Sequence, residues 1–169
     1  MAIYSLAQRS TVTTIAAASH AFLAPATNKP SLLEWGYVNG AATACVVGLG
    51  RTANTPTLTG GVAFLAEEFA GPTGLTQGAV AFGTAPTVPT QFFRRFSMAA
   101  LVGAGIAYSF PWGITIPAGG QAMCAWNITA SSAVVDIYAV VSEEHMDVAP
   151  QMVETVKHVR VLRGAHRRA

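Results

Sequence analysis

Charge is what this chain has least of. Only 11% of its 169 residues are Asp, Glu, Lys or Arg, while 51% are hydrophobic; ordinary soluble domains carry about 25% charge. So few charges leave an isolated monomer little to keep its surface hydrated, and surface buried between subunits is therefore expected. Cysteine is scarce as well. Cys45 and Cys124 stand far apart, with no C-x-x-C spacing and no neighbouring histidine. Each reads as a buried free thiol, and a disulfide between them is open but not indicated. No window reaches roughly 18 uninterrupted apolar residues, so no helical membrane span is expected. The opening "MAIYSLAQRSTVTTIAAASHAFLAPA" imitates a signal peptide only faintly. Thr13, Thr14, Ser19 and His20 break its apolar core and no basic region precedes it, so secretion is not expected. "NIT" at Asn127 is then a glycosylation match in form only.

The groupings that carry chemistry are missing too. Paired carboxylates occur only as Glu67-Glu68 and Glu143-Glu144, and sequence neighbours seldom face one another on a strand or helix. His20 is alone, and His145, His158 and His166 have no cysteine or paired acid beside them, so metal-ligand spacing is absent. There is no G-x-S-x-G elbow for a nucleophile. "VVGLGRTA" imitates a dinucleotide fingerprint, but that motif needs a helix N-terminus directly after its glycines. Here "NTPTLTGG" follows, where no helix can begin, and Gly48 and Gly50 read as a bulge or strand end. No catalytic residue, cofactor or metal site is assigned, and an enzyme is not expected.

What is present is mostly β-structure. Leu33, Trp35 and Tyr37 alternate with Glu34 and Gly36, and Asn39-Gly40 then predicts a type I′ hairpin. "QFFRRFS" places Phe92, Arg94 and Phe96 against Phe93 and Arg95. "AYSF" and "GITI" are parted by Pro111, which fits an edge or a bend. "PAGG" and "TASS" read as turns around "QAMCAWNI", and "AVVDIYAVVSE" sets Val135, Ile137, Ala139 and Val141 on one face. One helical stretch is predicted, Val62 to Ala70, stopped by Pro72 and Gly74. Many short strands with regular turns point to an all-β antiparallel β-sandwich or jelly roll, and the lack of strand–helix alternation argues against a parallel α/β sheet.

Charge divides the chain. Half of its acids and bases lie in residues 143–169, which predicts a β-sandwich body over 1–142 followed by an extended, charged C-terminal arm. Within that arm Arg160, Arg163, Arg167 and Arg168 could touch phosphate. Glu143, Glu144, Asp147 and Glu154 balance them, so nucleic acid is not expected, and a strap ordered on a neighbour is the matching alternative. In the body, Arg94 and Arg95 point to opposite faces of a strand and cannot form one patch. One of them pairing with an acid across a subunit boundary is the interface reading, and plain solvation is the other. Of Trp35, Trp112 and Trp126, at least two are expected as core or interface anchors. The interface candidates are thus Arg94, Arg95, Trp112, Trp126, Arg160, Arg163, Arg167 and Arg168.

"TVTTI…FLAPA", "LLEWGYVNGAATACVVGLGR", "FGTAPTVPTQFFRRFS" and "FPWGITIPAGGQAMCAWNI…AVVDIYAVVSEE" together resemble small virion proteins of tailed bacteriophages and prophages. The last segment is similar to the closing strands of β-sandwich decoration (cement) and head-fibre-like proteins. The resemblance covers residues 10–144; the arm from His145 onward resembles nothing in that family. It implies a structural protein assembled in the bacterial cytoplasm and seated on the head shell. Other copies of itself in a trimer, and the major capsid protein or neighbouring virion proteins, would be the partners. A tail, neck or head–tail connector component is an alternative, and so is a sugar-binding sandwich whose exposed tryptophan stacks on the host's glycans.

Overall fold

A computed structural model describes residues 2–12, 17–68, 73–129 and 133–143. Thirteen strands and no helix form among them. Eight strands carry the body: β1 (Ala2–Val12), β2 (Ala17–Leu23), β3 (Ser31–Asn39), β4 (Cys45–Arg51), β10 (Arg94–Met98), β11 (Gly105–Thr115), β12 (Met123–Thr129) and β13 (Ala133–Glu143). Every ladder is antiparallel, β1 with β13, β2 with β12, β3 with β11 and β4 with β10. The first of the eight thus pairs the last, the second the seventh, and so inward. A long hairpin rolled up in this way is a jelly roll.

Rolling distributes the strands between two sheets, β11-β3-β13-β1-β7 and β10-β4-β12-β2-β8-β6. The short strands β6 (Val62–Ala63), β7 (Leu65–Ala66) and β8 (Gln77–Ala79) extend the edges, and β5 (Thr57–Thr59) pairs with β9 (Ala81–Thr84) as a separate ribbon. Between the sheets lies one core. Tyr4, Phe22, Leu32, Trp35, Val47 and Ile137 are among its members, and Trp35 meets the rings of Tyr37, Phe96 and Tyr108 at centroid separations of 5.9–6.3 Å. The alternation expected of the last strand holds: Val135, Ile137, Ala139 and Val141 all face this core.

A second, smaller core explains the silent apolar stretch around Trp126. On the outer face of the second sheet, Ala21, Ala122, Cys124 and Trp126 are buried beneath Leu58 of β5, Phe82 of β9 and Phe92. β12 is therefore covered on both faces, Met123 and Ala125 inward, Cys124 and Trp126 outward. A strand covered twice reads as an unbroken apolar run rather than an alternating one. Both cysteines are free and buried.

Four sequence expectations are corrected here. The helix over Val62 to Ala70 does not form; β6 and β7 stand there, while 69–72 lie outside the described residues. Phe64 between them is fully buried, and its backbone exchanges bonds with Thr76 and Gly74, so tertiary pairing overrides the helical pattern. Asn39-Gly40 makes no hairpin, because β3 and β4 belong to different sheets. Instead the Asn39 amide donates to the Thr43 carbonyl at 2.8 Å, its oxygen accepts from Ala41 N–H, and Gly40 N–H donates to Val134, so the pair turns a corner between the layers. Leu33 is the extra residue where β3 slips against β13, which puts Leu32 rather than Leu33 into the core. Finally, Gly48 and Gly50 lie within β4, where a Cβ would meet the Phe92 ring at 2.7 Å and 3.1 Å. They mark the close approach of a covering aromatic, not a bulge.

Candidate interface edge

The sheet orders place β10 and β11 together at one side of the sandwich. Between them the two sheets would part and expose the core, and Arg94 closes that gap. Its guanidinium lies over Tyr108 at 5.6 Å and over Phe110 at 5.2 Å, and Nη1 donates to the Phe93 carbonyl at 2.7 Å. Such stacking suits a planar, weakly hydrated cation. Arg51, at the end of β4, makes a parallel arrangement: it lies over Phe93 at 5.1 Å and donates from Nη2 to the Thr115 carbonyl at 2.9 Å. The two arginines bracket one stretch of β11, Arg94 at Phe110 and Arg51 at Thr115.

That stretch carries Trp112. The ladder with β3 breaks between Ser109 and Ile114, since Pro111 has no N–H to give it and Gly113 takes a positive φ of 66°. This bulge, on an edge strand, throws the indole outward until it is 97% exposed. Beside Arg51 a cleft of about 380 Å³ is lined by Pro89, Thr90, Gln91, Phe92 and Phe93. The site as a whole offers aromatic surface, two held guanidinium groups and no acid among its named residues.

Of the sequence-derived candidates, Arg94 on β10 and Trp112 on β11 both lie at this edge, and Arg95 is exposed next to Arg94 on β10. Trp126 is removed from the surface: it is fully buried in the second core, with its indole N–H towards the Gly50 carbonyl at 3.5 Å. Arg160, Arg163, Arg167 and Arg168 lie outside the described residues. Sequence reasoning missed Arg51, Phe93 and Phe110 as members of the edge. Nothing in "VVGLGRTA" signals that its arginine reaches another sheet's edge strand.

Elsewhere, charges are satisfied locally. Arg9 and Asp136 form a bidentate pair at 2.6 and 2.7 Å on the outer face of the first sheet, and that bond holds the Asp136 carboxyl below the usual carboxylate range. A depression of about 300 Å³ around them therefore has its two charges matched to each other. Glu143, the last residue of β13, is buried and accepts the N–H groups of Leu75 and Thr76 at 2.9 and 2.7 Å. Among the described residues, no three His, Cys, Asp or Glu side chains gather as a metal site, and no helix is long and apolar enough to cross a membrane.

No family model, curated protein or solved structure matches this chain.

Proposed function

We propose that this chain is a non-enzymatic structural protein of a bacteriophage virion, a capsid decoration protein that stabilises the head through contacts between subunits. The single observation that carries the reading is the exposed edge: Trp112 is 97% exposed, on a bulge flanked by two arginines held in place by aromatic rings. An aromatic side chain projected from an edge, on a strand that arginines clasp, has the composition of an interface anchor. The low charge of the chain and its resemblance to small virion proteins support the same reading.

In this role function is mechanical. A decoration subunit seated across a boundary between capsomers adds buried area there, and rupture of the shell must expose that area again. A standard interface buries about 800 Å² per partner, and at roughly 25 cal/mol/Å² of apolar area each added contact raises the cost of separating neighbours. A tail or neck component would use the same edge against a different ring of subunits, so copy number per virion separates those two locations.

The test is add-back. Purified full-length protein is incubated with heads lacking it, and bound copies and the temperature of head rupture are measured. Saturable binding with a raised rupture temperature supports decoration, and no binding overturns it. A second reading, recognition of a glycan, rests on the exposure of Trp112, on the strand whose Thr115 carbonyl Arg51 holds, since an exposed indole can stack on a sugar ring. Binding on a glycan array that Trp112→Ala abolishes would favour it.

A further inference from the structure

Apart from Lys29, exposed in the connection between β2 and β3, the charges of the described body that stand outside an ion pair are sorted to opposite sides of the sandwich. Among the described residues Arg9–Asp136 is the only ion pair, Glu34 is held by the Tyr138 hydroxyl, and Glu143 is buried on backbone donors. That leaves Glu67 and Glu68 as the exposed acids with no such partner, directly after β7. β7 is the far edge of the first sheet, with β11 at the other end of the same sheet. Four strand spacings of about 4.8 Å separate them. Arg94 and Arg95 flank edge strand β10 on its two faces, both exposed and outside any ion pair among the described residues, and with Arg51 they give the β10/β11 edge its positive charge. One side of the body is acidic and the other basic.

Apolar exposure follows the same division. Beside Glu67 and Glu68, Leu65 is 63% and Val62 45% exposed, while Trp112 and Phe93 stand out on the basic side. Each edge thus offers uncovered apolar surface next to charge of one sign, and the signs are opposite.

We infer that the acidic β6/β7 edge of one copy docks on the basic β10/β11 edge of the next, joining copies head to tail. This deepens the assembly role proposed above and names its partner as a second copy of this chain. Burying like edges together would set Arg94 and Arg95 against their own counterparts, or Glu67 and Glu68 against theirs, and like charges juxtaposed at an interface are costly. A contact between two different patches is heterologous. It yields a closed ring where the rotation between copies closes, and an open chain where it does not.

The test uses two charge-reversed full-length proteins. Glu67→Arg with Glu68→Arg makes both edges basic, and Arg94→Glu with Arg95→Glu makes both acidic. Wild-type protein should self-associate in sedimentation velocity, and each variant alone should dissociate at least about tenfold more readily. An equimolar mixture of the two variants should associate again, because an all-acidic copy then meets an all-basic one. Melting curves confirm that each variant is folded, and Arg95→Glu alone repeats the test without removing Arg94 from its aromatic seat. A wild-type monomer at high concentration, undiminished association in either variant, or a mixture that stays dissociated overturns the inference. Binding of a monomeric wild type to heads would leave the decoration role standing, so the two failures are distinguishable.

Discussion

His20 of β2 and Gln8 of β1 meet inside the sandwich, the imidazole Nε2 against the amide oxygen of Gln8. The amide oxygen only accepts, so Nε2 carries the proton, and Nδ1 is left buried with no hydrogen-bond partner. Burial lowers the His20 pKa from 6.5 to about 3. The folded state therefore resists a proton that the unfolded chain takes up below pH 6.5. The stability linked to His20 is complete above pH 6.5 and falls as the pH drops towards 3, at up to about 1.4 kcal/mol per pH unit.

Urea midpoints measured between pH 7 and 4.5 should fall with pH, and His20→Gln should flatten that slope. An equal slope in the variant would assign the acid sensitivity to other groups. Asp136 has the opposite ionisation but the same sign: its lowered pKa stabilises above the normal carboxylate range and is lost at lower pH, so it adds its effect only below about pH 4.

Glu143 closes the last strand by accepting two backbone N–H groups from Leu75 and Thr76. Glu143→Ala leaves the buried Thr76 donor without a partner, which costs about 1–3 kcal/mol, and frees the part-buried Leu75 donor to water at less cost. Thermal melts should show the loss, and amide exchange at Leu75 and Thr76 should rise before that of β13. Exchange unchanged at those two amides would mean that their carboxylate bonds are not what holds the segment.

Much of this architecture was legible in the chain. Val135, Ile137, Ala139 and Val141 alternate, and they line the core; Pro111 marks an edge, and β11 is one. What misled was anything settled by a third layer. Gly48 and Gly50 look like irregularities until Phe92 is placed over them, and Trp126 looks like a contact residue until Leu58 and Phe82 cover it. Leu58 and Phe82 arrive from the β5/β9 ribbon and Phe92 from the segment before β10, all far in sequence from the residues they cover, and no local pattern records that. Asn39-Gly40 failed for a similar reason. The dipeptide permits a tight reversal, but the inward faces of β3 and β4 gain more by facing each other across the core than by pairing side by side. At the candidate edge, Trp112 and Arg94 could be named from sequence, whereas the partnership of Arg51 with Phe93 depends on how two sheets meet.

Trp126 gives a direct check of the second core. Its side chain is fully buried, so Trp126→Ala should cost about 3–5 kcal/mol and lower the melting temperature sharply. A loss below about 1 kcal/mol would mean that the β5/β9 ribbon does not cover this face in solution. Cys124 offers an independent reading, since its thiol is buried and burial raises its pKa. It should resist alkylation in the folded wild type and become reactive in the variant as the cover loosens.

Gly36 and Tyr138 test the outer face of the other sheet. A Cβ at Gly36 would fall 1.8 Å from the Tyr138 ring, whose hydroxyl donates to Glu34 at 2.6 Å. Gly36→Ala must push the ring aside and break that bond, at about 1–3 kcal/mol. Tyr138→Ala removes the obstacle, so adding Gly36→Ala to it should cost far less than in the wild-type background. The double-mutant cycle measures this coupling directly. Additive losses would show that Tyr138 leaves Gly36 uncovered in solution, and this face would then present a bare glycine groove rather than an aromatic lid.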